Sequence, residues 1–87
     1  MNQLIKTLNG LSFLSQGTAP HQWFATSPFS RQEFWNLVGI VHESIDDEGC
    51  LIRSYRGYYE VTFKCFEANV TVVSSSNGVY VQLSFHS

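Results

Sequence analysis

The stretch YYEVTFKCFEANVTVVSSSNGVYVQLSFH, from Tyr58 to His86, decides the fold. Tyr59, Val61, Phe63 and Cys65 alternate with Glu60, Thr62 and Lys64, and Val70 and Val72 repeat the pattern. After Asn77-Gly78 it resumes at Val79, Val81, Leu83 and Phe85. Successive side chains of a strand point to opposite faces, so a period of two over this length describes an antiparallel sheet with one buried face. An Asn-Gly pair between two such segments suits a two-residue hairpin turn. With Asn77 and Gly78 at its centre, Ser76 faces Val79, Val72 faces Leu83 and Val70 faces Phe85, so both strands keep their apolar residues on one face.

Working back from this hairpin, the sequence predicts four strands, at about Cys50–Tyr55, Tyr58–Phe66, Asn69–Ser75 and Val79–His86. A helix should precede them, from about Arg31 to Ile45. Ser30 and Glu33 form a capping box, in which the serine oxygen accepts from the N3 amide while the glutamate reaches back. Phe29 and Phe34 are spaced as a hydrophobic staple. Phe34, Leu37, Val38, Val41 and Ile45 make one apolar stripe, opposite Gln32, Asn36 and Glu43. Asp46-Asp47-Glu48-Gly49 reads as a solvated turn that ends the helix.

The N-terminal segment is ambiguous. Leu4, Ile5, Leu8 and Leu11 have helical spacing, with Asn9-Gly10 as a stop signal. The same Asn-Gly could instead turn a hairpin within Met1–Leu14. Gly17 to Pro28 reads as a loop punctuated by Gly17, Pro20 and Pro28, with Trp23-Phe24 as an apolar plug. The expected architecture is a single α+β domain over residues 1–87, with one or two N-terminal helices packed on a four-stranded antiparallel β-meander.

Composition limits the functions open to this chain. Only 14% of residues are charged, against roughly 25% in an average soluble domain, while 15% are aromatic. So few charges leave neutral and apolar groups at the surface, and large exposed apolar patches usually become contacts. Self-association is the expectation. Five Lys and Arg in a chain of net charge −2 can neutralise few phosphates, so nucleic acid is not an expected partner. No run approaches the roughly 20 apolar residues of a membrane span, and no signal-peptide pattern stands at the start, so no membrane association and a cytoplasmic location are expected. Cys50 and Cys65 are then expected to be reduced, Cys65 as a small core residue.

Arg56-Gly57-Tyr58-Tyr59-Glu60-Val61-Thr62-Phe63 partly resembles the octamer of the RNA-recognition-motif family, matching at Arg56, Gly57, Tyr58, Val61 and Phe63. Glu60 stands where that motif needs a second base-stacking aromatic, and a carboxylate there repels phosphate. Tyr59 fills a small-residue position, and no second helix separates the third and fourth expected strands. These departures remove the implication of RNA binding.

Motifs for chemistry are sparse. His21, His42 and His86 lie far apart, without metal-ligand spacing, so neither a metal nor another cofactor is expected. An enzyme would have to use Cys50 or a histidine, brought together only by tertiary contact. A ligand pocket between loop, helix and sheet would be lined by Trp23, Phe24, Trp35 and Tyr59. The leading expectation is a non-catalytic protein–protein interaction module that binds itself, as a homodimer or larger, or another protein. Small accessory proteins, inhibitors and immunity proteins share its size and lack of catalytic motifs, an analogy of type alone. Its contact surface is expected on an edge strand or on the sheet face away from the helices, where Glu60, Thr62, Lys64, Thr71, Gln82 and Ser84 surround Tyr58, Phe66, Val73 and Tyr80.

Overall fold

The structure, a computed structural model, describes residues 1–26 and 29–86. Elements follow in the order α1 (Asn2–Gly10), β1 (Ser15–Gln16), β2 (Gln22–Ala25), α2 (Arg31–Glu43), β3 (Asp47–Tyr55), β4 (Tyr58–Cys65), β5 (Ala68–Ser75) and β6 (Gly78–Phe85). The strands form one antiparallel sheet in the order β1-β2-β6-β5-β4-β3. The class is the expected α+β, but among the described residues the sheet has six strands rather than four. The N-terminal segment is the helix, not the hairpin. No helix among the described residues is long and apolar enough to cross a membrane.

The two additional strands, β1 and β2, lie in the segment expected to be a loop. They form a short hairpin whose second strand pairs with β6, Trp23 opposite Val81 and Phe24 opposite Tyr80. His21 takes a positive φ of 61° at the bend, and its carbonyl accepts from Leu83 N at 3.0 Å. The role of Pro28 as a breaker lies outside the described residues.

Both helices cover one face of the sheet. Leu4 and Leu8 of α1 join Phe34, Leu37, Val38 and Val41 of α2 over Trp23, Val61, Phe63, Val70, Val72, Val81 and Leu83. Burying such side chains stabilises by roughly 1.5–3 kcal/mol each before conformational entropy is counted. Trp23 Nε1 donates to Asn9 Oδ1 at 2.9 Å and so ties β2 to α1. Between the helices, Ser44 Oγ lies 3.1 Å from both Thr7 Oγ1 and the Ile40 carbonyl.

Helix α2 starts as its sequence requires. Ser30 Oγ accepts from Glu33 N at 3.1 Å, and Glu33 Oε1 accepts from Ser30 N at 3.1 Å. The ring of Phe29 packs on Phe13, with centroids 5.4 Å apart. The helix ends at Glu43, two residues before the expected Ile45, where Ser44 N bonds back to Val41 O and tightens the last turn. Asp47 and Gly49, expected in a turn, already pair with β4 at Cys65 and Lys64; a register shift between them absorbs the extra residue.

The register of β5 and β6 corrects the hairpin reading. Ser75 pairs with Gly78, Val72 with Val81 and Val70 with Leu83, so the central turn residues are Ser76 and Asn77. Each residue meets a partner two positions from the expected one, which preserves the face of every side chain. The physical reason lies in two backbones. Asn77 does not take the positive φ that the expected turn demands, whereas Gly78 has φ 135°. Gly78 also lies so close to β2 that a Cβ would overlap the carbonyl oxygen of Ala25. The glycine serves the approach of a third strand, not the centre of the turn.

Candidate interaction surface

Opposite the helices, cross-strand pairing sets Phe24, Tyr80, Val73, Glu60 and Arg53 in one row across five strands. Tyr55 and Tyr58 adjoin this row, their rings 5.5 Å apart, at the turn that joins β3 to β4. Val73 is only 2% exposed although it lies on the face without helices, so the surrounding side chains shade it. The Tyr58 phenol is pushed above its usual pKa, first by desolvation, then by the Glu60 charge and the neighbouring Tyr80 and Tyr55, with Arg53 opposing. Through the cross-strand pairing and the Tyr55–Tyr58 ring contact, these groups adjoin one another across the face. Beside them, a cleft of about 160 Å³ is lined by Phe24, Ala25, Ser75, Gly78 and Tyr80.

The structure thus brings together Tyr58, Val73 and Tyr80, and adds Phe24 and Tyr55. It does not bring in Phe66. Strand β4 ends at Cys65, and Phe66 stands 87% exposed in the turn before β5, at the far end of β4 from Tyr58. There it borders a separate cavity of about 430 Å³ with Met1, Ser44, Ile45, Cys65 and Glu67.

The four aromatics expected around a ligand pocket are divided by the sheet. Trp23 is buried on the helix side, while Phe24, the next residue of the same strand, faces the other way. Trp35 and Tyr59 both border Phe34, with centroids at 5.1 and 6.0 Å, and the Arg31 guanidinium lies 5.6 Å over the Tyr59 ring.

Cys50 pairs across the sheet with Phe63, the ring on which His42 stacks, and Asp47 adjoins both. Burial, followed by the Asp47 charge, pushes the Cys50 thiol up, the opposite of the shift that activates a thiolate. His42 stacks on Phe63 at 5.1 Å and places Nε2 2.8 Å from Asp47 Oδ1. His21 packs edge-on against Phe85, and His86 Nε2 lies 3.1 Å from the Cys65 carbonyl. Among the described residues, no group of three or more His, Cys, Asp or Glu could hold a metal ion.

An edge strand is one of the expected contact surfaces, and the strand order identifies it. Strand β3 is nine residues long and ends the sheet, with no strand on its outer side among the described residues. Leu51, Ile52 and Tyr55 are 45%, 55% and 57% exposed. Ile52 points to the helix side, as its pairing with the core residue Val61 shows, yet the helices do not cover it. Alternation alone identifies such a strand but not which end of the sheet remains open. That depends on β2, which covers β6 and leaves β3 bare.

Fold and surface define an α+β protein with two helices on one sheet face, an aromatic cluster on the other and an apolar edge. No protein-family model, curated protein or solved structure matches the chain.

Proposed function

We propose that this chain is a non-catalytic protein–protein interaction module that self-associates through the open end of its sheet. The observation that carries the proposal is β3, a nine-residue edge strand exposing Leu51, Ile52 and Tyr55. An edge strand presents unpaired N–H and C=O groups, and proteins that stay monomeric usually blunt such edges with charge, proline or short length. Between Cys50 and Tyr55 the only charged residue is Arg53, and there is no proline. Strand addition at an edge obtains affinity from backbone hydrogen bonds and specificity from alternate side chains. The adjoining cluster of Tyr55, Tyr58, Val73 and Tyr80 supports a contact that extends over the outer face, since tyrosine combines apolar area with a polar tip. An accessory, inhibitor or immunity-type role fits such a module.

Size-exclusion chromatography with light scattering tests the proposal. The wild-type chain should have at least about twice its 9.9 kDa mass at micromolar concentration, and Ile52→Lys should return it to a monomer. A wild-type chain that remains monomeric at millimolar concentration would overturn self-association.

A further inference from the structure

Resting on the self-association proposed above, we infer that the occupant of the β3 edge is a second copy of this chain. The two β3 strands pair antiparallel about a two-fold axis that passes through Ile52. The backbone restricts the choice first. Arg56-Gly57 is a two-residue turn closed by the pair Tyr55 and Tyr58, so these two residues exchange both N–H···O bonds. Bonding alternates along the ladder, so Arg53 and Leu51 also bond to β4. Cys50, Ile52 and Ser54 aim their N–H and C=O groups the other way, out of the sheet.

Antiparallel pairing with a second copy must therefore set even-numbered residues opposite even-numbered ones. An axis through Ile52 places Ile52 opposite Ile52 and Cys50 opposite Ser54, so every outward group between Cys50 and Ser54 is bonded. An axis through Leu51 would leave Ser54 opposite Glu48, at the register shift. An axis through Arg53 would set two guanidinium groups directly opposite each other, and like charges in that position are destabilising.

Side chains favour the same register. On the helix side, Ile52, 55% exposed in one copy, meets its equivalent and extends the core across the junction. On the outer face Tyr55 falls opposite Gly49, which has no side chain and no neighbour within 4 Å of a Cβ position. An aromatic ring covering a strand glycine is a recurrent device for fixing register. Leu51 falls opposite Arg53, whose methylene stem can lie along it.

Charge agrees as well. The acidic Asp46-Asp47-Glu48 stands at the start of β3 and Arg56 just beyond its end, so antiparallel pairing brings each copy's Arg56 beside the other's acidic end. A parallel arrangement would set like against like. The product is a continuous sheet of twice the width, with both outer-face aromatic clusters on one side.

The test uses complementary charges at the axis. Ile52→Lys and Ile52→Glu should each be monomeric alone, because each sets like charges opposite each other, and their equimolar mixture should recover the dimer mass. Ile52 is exposed, so both variants should retain the fold; the amides of Leu51, Arg53 and Tyr55, bonded to β4, should stay protected from hydrogen exchange in them. In the wild-type dimer the amides of Cys50, Ile52 and Ser54 should also be protected, and both variants should lose that protection when alone. Recovery by the mixture together with this alternating pattern supports the geometry. A wild-type dimer with Cys50, Ile52 and Ser54 unprotected, or a mixture that stays monomeric, would overturn the two-fold β3 pairing while leaving self-association through another surface. A wild-type monomer would overturn both.

Discussion

The two ends of the sheet solve the same problem in opposite ways. At one end pairing stops after two exposed polar residues, Ser15 and Gln16, in a strand too short to template another chain. At the other, β3 runs for nine residues with Leu51, Ile52 and Tyr55 open to solvent. The short end is held from inside by Trp23, which reaches α1, and by the close approach of Gly78 to Ala25. The long end is tied to α2 at its start, where His42 lies 2.8 Å from Asp47, but further along the strand Ile52 stays 55% exposed. The difference teaches where this chain invests its stability and where it leaves apolar surface open: substitutions at the β2 end should weaken folding, and, on the self-association proposed above, substitutions along β3 should change association instead.

Gly78→Ala should break the comparison most severely. Its Cβ would overlap the Ala25 carbonyl, and φ 135° is a backbone conformation that a residue with a side chain rarely adopts. Strand β2 would have to leave β6, at an expected cost of about 3 kcal/mol or more, combining backbone strain with overpacking. Urea unfolding reads this as a lower midpoint. A variant within about 0.5 kcal/mol of wild type would show that β2 is not anchored there. Trp23→Phe is a milder cut at the same end. It removes the bond to Asn9 and part of the buried indole, and should cost about 1–2 kcal/mol by the same measurement. On β3, Ile52→Thr keeps a β-branched side chain at an exposed site, so the stability of the monomer should stay within about 0.5 kcal/mol while the dimer weakens.

How much of this contrast could be read from the chain depends on the range of each signal. The meander from β3 to β6 and the start of α2 are local. Alternation over eight residues and a Ser-x-x-Glu box each specify their element without help from distant segments. Strand β2 is different. Four residues with Trp23 and Phe24 adjacent, between Pro20 and the start of α2, cannot establish a period, and β6 supplies their order as strand. The hairpin parity was legible because apolar residues must share a face; its register was not, because Gly78 answers to β2. The same limit applies to the surface. Tyr58, Val73 and Tyr80 share a face by alternation, whereas Phe66 would share it only if β4 continued one residue past Cys65, where the chain turns instead. Phe24 and the open edge required the strand order, which no local pattern encodes.

Helix α2 carries the chain from the anchored end to the open one, so its first turn offers the finest adjustment of the comparison. Glu33 accepts from Ser30 N, which holds its carboxyl below the usual 4.5; the Ser30 hydroxyl adds to that shift, and slight desolvation opposes it. A depressed pKa in the folded state means that the unfolded chain binds the proton more readily. The contribution is therefore fully present above about pH 4.5 and lost as pH falls below that value through the lower folded pKa. Glu33→Gln can still accept from Ser30 N but carries no charge to titrate. Between neutral pH and about pH 5 the urea midpoints of wild type and variant should run parallel. Below pH 4.5 the wild type should lose stability faster and approach the variant. Because the carboxylate is exposed, the effect should be the smallest of these changes. Midpoints that stay parallel down to pH 3 would show that the capping glutamate contributes through its hydrogen bond alone and not through its charge.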